Sequence, residues 1–460
     1  MITAELSTPR LGWLAPYLPL LALIAITALT GPSLGSTARP LFLVGCVLVA
    51  WFAWSYSAAL HAQVVLTLFC FAPFLRRLVD FAAGFDQSGL MIAGPLLAML
   101  VACRDLPLHM LERPELRRQF APFVIVAACV GYGVLLTVVK GDLSQGMSGA
   151  LKWGVPLIYA MALRVRAPDV DGVLLGLRDA VIVILPVMGI YGIYQYVAPP
   201  LWDQYWLTFA AISSAGLPEP YAVRVFSTMH APAAYASFTV VGIFLVYFLS
   251  KPRPLLLIVL MPAVIGLLLS LYRTAWLALA ASFLFCAFFA STKRQTVIAA
   301  ATLTVLVAIA LSFTPFGEII SDRLATLGDV SNDSSMRERL QQFSTLWASD
   351  ASAIFGTGFT TTDVAVAGAI ATDGMIAACW TSMGIVVGTV CLSALLYTIA
   401  KAMGRGNDGD HCSIILAALA GGQLVQLPLA TTASGELGFL FWTIAALALM
   451  PSPKRGGRRA

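Results

Sequence analysis

Eight arginines stand where an arginine asks for a reason. Arg273 interrupts the apolar run from Leu267 to Trp276, and Arg39, Arg76, Arg77, Arg224, Arg323, Arg337 and Arg339 fall away from the other basic clusters of the chain. An arginine within hydrocarbon costs about 2.5–3.5 kcal/mol on insertion scales, so it faces protein, water or a ligand. A guanidinium keeps its charge and offers a planar fork of donors that fits phosphate oxygens two at a time. Several forks around one cavity therefore make a diphosphate site. Arg224 and Arg273 are the first choices for that role, Arg337 is a third on an outer segment, and Arg76 and Arg77 are further members. The competing reading has such arginines snorkel to lipid head groups or pair with Asp80, Asp86, Asp322 and Glu338.

Aromatic residues gather near these arginines. Tyr191, Tyr194, Tyr196, Trp202, Tyr205 and Trp206 follow one another closely, and Trp276 stands three residues after Arg273. One reading is an interfacial belt. The other is a platform on which Tyr194, Trp202, Trp206 and Trp276 touch sugar rings or a lipid tail, because both pack on aromatic faces.

These side chains need a scaffold that lives in lipid. The 460 residues are 59% hydrophobic and 11% charged, with a mean hydropathy of +0.86, whereas a soluble domain carries roughly a quarter charged residues. Apolar runs of about 15 to 20 residues recur from end to end, each long enough to cross the hydrocarbon as a helix. The expected fold is all-α: a polytopic transmembrane helical bundle of about 12 to 14 spans, forming a single membrane domain over 1–460. Spans are predicted at Trp13–Leu29, Leu41–Leu60, Ala62–Leu75, Leu90–Cys103, Phe120–Val139, Trp153–Leu163 and Ala180–Val197. The second half supplies Ala233–Leu249, Leu255–Leu271, Ala275–Ala290, Thr296–Phe313, Met375–Ala400, Ile414–Leu429 and Leu437–Met450.

Lysine and arginine favour cytoplasmic loops. With both termini cytoplasmic and Trp13–Leu29 kept as an uncleaved span, one side collects Arg104/Arg113/Arg117/Arg118, Arg164/Arg166/Arg178, Lys251/Arg253, Lys293/Arg294, Lys401/Arg405 and the tail from Lys454 to Arg459. The other side then receives an external loop at 198–232 and an external, periplasmic helical cap between Thr314 and Thr372. Within the cap, Met336, Leu340, Phe343 and Trp347 recur at helical spacing, and Ser335 with Glu338 makes a capping-box pattern. Of the eight cysteines, seven lie in apolar runs and Cys412 sits beside a basic loop, so a disulfide framework is not expected. CxxC and CxxH spacings are missing and the four histidines are scattered, so no metal is expected either.

Three stretches resemble a known family. Arg224-Val225-Phe226-Ser227-Thr228-Met229-His230-Ala231-Pro232, leading into a span, is similar to the arginine-containing, His/Asn-Pro stretch of bacterial O-antigen polymerases and O-antigen ligases. Ser270-Leu271-Tyr272-Arg273-Thr274-Ala275-Trp276-Leu277-Ala278 resembles that family's Ser-x-x-Arg-(Gly/Thr)-Ala-Trp-Leu-Ala signature. Ser334-Ser335-x-Arg337, then Trp347, then Gly356-Thr357-Gly358-Phe359, resembles its external loop, which ends in a Gly-x-Gly turn. The likeness runs from about Arg224 to Gly388. It departs at Thr372-Asp373-Gly374, where the ligases commonly carry a His-Asn pair.

The resemblance implies a glycosyltransferase on the periplasmic face of the inner membrane, free of metal and cofactor. It would join undecaprenyl-diphosphate-linked glycans, as donor and acceptor, into an O-antigen, capsule or exopolysaccharide. A flippase and a chain-length regulator are the implied partners, besides the lipid bilayer, and no nucleic acid is. Charge developing on the leaving diphosphate suits arginines, and the acceptor hydroxyl needs a base, for which His230 and Asp373 are candidates and Glu436 a more distant one. Their bland readings are a helix-start histidine satisfied by backbone and an N-cap aspartate. The runner-up activity is a ligase that passes finished glycan to lipid A core. A reading of another class is a flippase or transporter of lipid-linked oligosaccharide.

Overall fold

The computed structural model describes residues 15–106, 119–166, 169–210, 213–250, 255–312, 317, 354–359 and 374–449. Among them the regular elements are all helical, and the β-type pairing consists of an isolated antiparallel bridge between Gly216 and Val223. The order is α1 (Leu18–Leu34), α2 (Ala38–Tyr56), α3 (Ala58–Ala83), α4 (Ala93–Cys103), α5 (Ala121–Val139), α6 (Leu143–Gly149), α7 (Val155–Arg166) and α8 (Val170–Val197). There follow α9 (Leu201–Ala210), α10 (Pro232–Leu249), α11 (Leu255–Leu269), α12 (Arg273–Ala287), α13 (Ala290–Leu311), α14 (Met375–Gly404), α15 (His411–Gln426) and α16 (Gly435–Ala448). Helix is what a chain in lipid must form, since each amide then finds its partner within its own segment.

Seven stretches are long and apolar enough to cross a membrane: Ala15–Tyr56, Ala58–Ala83, Ala121–Val139, Val170–Val197, Pro232–Leu249, Ala290–Ile309 and Met375–Asp408. Leu90–Cys103, Ile258–Leu269, Arg273–Ala287, His411–Gln426 and Gly435–Ala448 are shorter apolar helices. Large apolar side chains also point outward, with Leu29 79%, Val139 76% and Phe288 78% exposed. Such a surface fits a multi-pass membrane protein and not one bathed in water.

Two of the long stretches are not single rods. In Ala15–Tyr56, a Cβ on Gly45 of α2 would lie 2.4 Å from Cδ1 of Leu23 in α1, so the two helices fold back on each other about the turn at Gly35, whose φ is 62°. In α14, Gly384 is non-helical at φ 77° and ψ 168°, and a Cβ on Gly388 would lie 2.7 Å from the carbonyl oxygen of Cys379. A straight helix rising 1.5 Å per residue cannot bring positions nine apart so close, so α14 is two helices meeting at a sharp bend. The bend frees carbonyls, and the segment 354–359 satisfies them: Thr357 N donates to Thr381 O at 2.8 Å and Gly358 N to Ser382 O at 3.0 Å. The approach needs bare backbone, because a Cβ on Gly356 would sit 2.4 Å from Gly384 N. The Gly-x-Gly turn is thus a plug in a broken helix. It is pinned to α5 by Phe359 N donating to Thr137 Oγ1 at 2.7 Å and Lys140 Nζ to Thr357 O at 3.0 Å.

Helix α3 and helix α10 run through the middle. α3 packs on α1, α2 and α8, α8 on α11, α12 on α15, α7 on α16 and α5 on α14. One end of the bundle carries the Arg166–Asp105 pair at 3.1 Å, Arg178 donating to Leu249 O at 2.7 Å and His411 on Phe248 O at 3.0 Å. The opposite end carries Arg39, Arg76, Arg77, Arg224, Arg273, His230 and Glu436. Of the cap between Thr314 and Thr372, the described residues are Gly317 and 354–359, so the helix expected around Ser335–Trp347 lies outside them.

Candidate functional site

The segment from Pro199 to Pro232 folds over its end of the bundle around a small core of its own. Trp206, Leu207, Ala215, Val223 and Phe226 are buried together against Phe85. Arg224 N donates to Ala215 O at 2.9 Å and Leu217 N to Ala222 O at 3.2 Å, which makes a short hairpin around Pro218-Glu219-Pro220. Trp206 is 2% exposed and packs on the Phe226 ring. That corrects the expectation that it touches glycan or lipid, because its face is spent on this core.

Beneath the segment lies a buried polar frame. Arg77 is fully buried, with Nε 3.2 Å from Asp203 Oδ1, a terminal nitrogen donating to Ser227 O at 2.6 Å and its guanidinium 4.9 Å from the Phe226 ring centre. Gln195 Nε2 donates to Asp203 at 2.6 Å, and Tyr191 OH donates to the same carboxylate at 2.9 Å. Gln195 Oε1 in turn accepts from Phe226 N and Ser227 N at 3.1 and 2.8 Å. Burial pushes the Asp203 carboxyl up, against the pull of Arg77 and of its hydrogen-bond donors. Arg76 is also held: its Nε meets Asp80 Oδ2 at 3.0 Å and it donates to Asp86 O. Arg39 shares Asp80 at 2.9 Å. The expectation that Arg76 and Arg77 grip a diphosphate gives way to the pairing alternative, since both guanidiniums are already met by carboxylates within the protein.

Arg224 and Arg273 are placed differently. Val225 N donates to Leu269 O at 3.1 Å, which lays the residue after Arg224 on the C-terminal end of α11, just ahead of the turn that carries Arg273. That turn is tightly held. Ser270 Oγ and Trp276 Nε1 both donate to Leu267 O, at 2.6 and 3.1 Å, so Trp276 buttresses the turn. Arg224 has a weak contact to Ser214 O at 3.5 Å and no ion pair among the described residues. Its guanidinium is pushed below the ordinary arginine range, first by burial and then by repulsion from Arg273.

Backbone strain marks the same place. The non-glycine residues with positive φ among those described are Tyr221 (64°), Ser227 (52°) and Leu271 (53°). Each such conformation costs on the order of 1–3 kcal/mol and persists when its surroundings hold it. Ser227, three residues after Arg224, is held by Gln195 and Arg77, and Leu271, two before Arg273, by the Leu267–Trp276 turn.

His230 Nε2 lies 3.4 Å from Glu436 Oε1, both side chains about a quarter exposed at 24% and 21%. His230 precedes the first turn of α10 and Glu436 sits in the first turn of α16, so two candidate bases from distant parts of the chain form one pair. Asp373 and Arg337 lie outside the described residues. Tyr194 is 48% exposed at the rim, beside Tyr191, whose hydroxyl accepts from Trp202 Nε1 at 2.8 Å.

At the opposite end, ligand-type atoms of Asp171, Asp410 and Cys412 lie within 4.8 Å of one another. Sequence spacing gave no sign of this cluster. Asp410 there caps α15 by accepting from Ser413 N, a sufficient structural role. Arg224, Arg273, His230 and Glu436 thus lie at one end of the bundle, the latter two as an imidazole–carboxylate pair. No protein-family model matches the chain, and no curated protein matches it either.

Proposed function

We propose that the end of the bundle bearing Arg224 and Arg273 faces the periplasm of a bacterium and polymerises polyprenyl-diphosphate-linked glycan repeats into a surface polysaccharide. The observation that carries this reading is the backbone contact of the Arg224 segment with the end of α11, Val225 N to Leu269 O at 3.1 Å, just ahead of the turn that bears Arg273, on a strained and tightly braced frame. The three sequence stretches that resemble the O-antigen polymerase and ligase family support it, and two of them, around Arg224 and Arg273, meet at this site.

In this mechanism the donor's diphosphate lies across Arg224 and Arg273. An acceptor hydroxyl attacks the anomeric carbon, the C1–O bond breaks, and the electron pair leaves on the diphosphate, where preorganised donors stabilise the growing charge. His230 takes the hydroxyl proton. With Nε2 directed at Glu436, Nδ1 is the lone pair that receives it, and the carboxylate stabilises the imidazolium. Tyr194 stacks on a sugar ring or the isoprenoid chain at the rim.

The test is a strain lacking the protein, complemented with wild type, Arg224→Ala or Arg273→Ala, with the envelope glycan resolved by size on a gel. Short lipid-linked repeats in place of long chains support the polymerase. Full-length glycan left on its carrier identifies the ligase instead. The break in α14 favours a second reading as a transporter, since discontinuous helices line such paths. In that case the repeats of the deletion strain stay on the cytoplasmic leaflet, out of reach of an external glycosidase.

A further inference from the structure

Far from the arginine pair, α5 and the second half of α14 leave a groove of about 670 Å³ on the outside of the bundle. Its walls are apolar, and Ile125, Val386 and Val390 are 43%, 63% and 49% exposed. One edge is not apolar. Thr389, Ser393, Tyr397 and Lys401 all line the groove, and their spacing of four stacks them in a single row about 18 Å long. Three hydroxyls therefore lead up to an ammonium.

The lower part of this row has its own explanation, because Thr389 Oγ1 accepts from Trp380 Nε1 at 3.2 Å. The upper part has a weaker one. Lys401 Nζ stands 5.7 Å from the centre of the Tyr397 ring and meets no carboxylate among the described residues, the nearby Asp408 being taken by Arg405 at 3.1 Å. A lysine that only snorkels needs no groove beneath it. Here the cation caps a slot of apolar walls, at the end of the bundle that also holds Arg166 and Arg178.

We propose that this groove is a site for one anionic phospholipid, its phosphate on Lys401 and the Tyr397 hydroxyl and one acyl chain along Val390, Val386 and Ile125. Charge decides the class: an anionic head group gains from the uncompensated ammonium, while a zwitterionic one brings a cation of its own.

The test uses the full chain in detergent micelles, supplied with phosphatidylglycerol or phosphatidylcholine and weighed intact by native mass spectrometry. The wild type should keep one phosphatidylglycerol per chain and lose phosphatidylcholine. Lys401→Gln should lower retention about fivefold, and Val390→Trp, which fills the slot, should lower it at least as far with an unchanged melting temperature. Equal retention of the two lipids, or retention indifferent to Lys401→Gln, reduces the groove to ordinary annular contact and overturns the proposal. A polyprenyl phosphate as the species retained from native membranes overturns the choice of occupant. Glycan polymerisation is not read in this assay, so its outcome is independent of the activity proposed above.

Discussion

Arg76 and Arg77 on one side, and Arg224 and Arg273 on the other, look alike in the sequence: arginines at the edges of apolar runs, facing the same end of the bundle. The structure separates them. The first two close on Asp80 and Asp203, carboxylates buried to 0% exposure, while Arg224 is raised against Arg273 on a loop and a tight turn. A buried arginine that meets its aspartate holds elements together. Arg224 meets no carboxylate among the described residues, and the difference lies in partners that sequence order does not reveal.

The largest effect that bears on this contrast is expected from Arg77→Met, which strands a buried carboxylate and should cost about 3–5 kcal/mol of stability, read as a fall in melting temperature in detergent. Arg77→Met with Asp203→Leu should recover most of it, because an apolar pair of similar volume replaces the ion pair. If Arg77→Met melts normally yet yields no polymer, Arg77 belongs with the ligand-binding arginines after all. Next, Arg224→Ala or Arg273→Ala should lower glycan product about 100-fold, as for the loss of one transition-state donor of about 2.7 kcal/mol, with melting nearly unchanged. Lysine at either position should restore part of the product, since a point charge lacks the fork. Unaltered product in the double alanine variant would sink the diphosphate site.

Smaller effects sharpen the contrast further. Arg76→Met leaves Asp80 with Arg39, so its cost should fall well below that of Arg77→Met when the two are melted side by side. Asp86 gives the least and the most specific signal. Burial pushes its carboxyl up, but hydrogen bonds from Ser88 and from Leu90 N, together with Arg39, win and hold it below the ordinary value of 3.8. The folded chain therefore binds that proton less readily than the unfolded one, and the stability gained is full above about pH 4 and lost as pH falls through the depressed value. Asp86→Asn should flatten the slope of melting temperature between about pH 5 and pH 3, and a slope equal to wild type would mean that Asp86 adds nothing to the pH dependence of the fold.

Much of the fold was legible because lipid leaves so few options. Each predicted span contains a helix, and Gly356-Thr357-Gly358 is a turn with two positive-φ glycines. The bend at Gly384 was not visible, since Met375–Ala400 reads as one apolar run and hydropathy does not register a single φ. At the site, Arg224 and Arg273 were singled out from the cost of a charge in lipid, and they lie together. The Arg77–Asp203 pair and the His230–Glu436 pair were missed as pairs, because each joins residues from distant helices and only packing brings them face to face. Trp206 was misplaced for a related reason: an aromatic in an external loop reads as interface until the loop is seen to have a core.

The frame under the Arg224 segment grips main chain, with Phe226 and Ser227 the side chains it also holds. Gln195 receives the amides of Phe226 and Ser227, Arg77 donates to the Ser227 carbonyl, and Leu269 receives the amide of Val225. Most side chains in such a loop are released from the task of setting its position. Substitutions in the outer turn Leu217–Tyr221 should therefore leave the two arginines where they are.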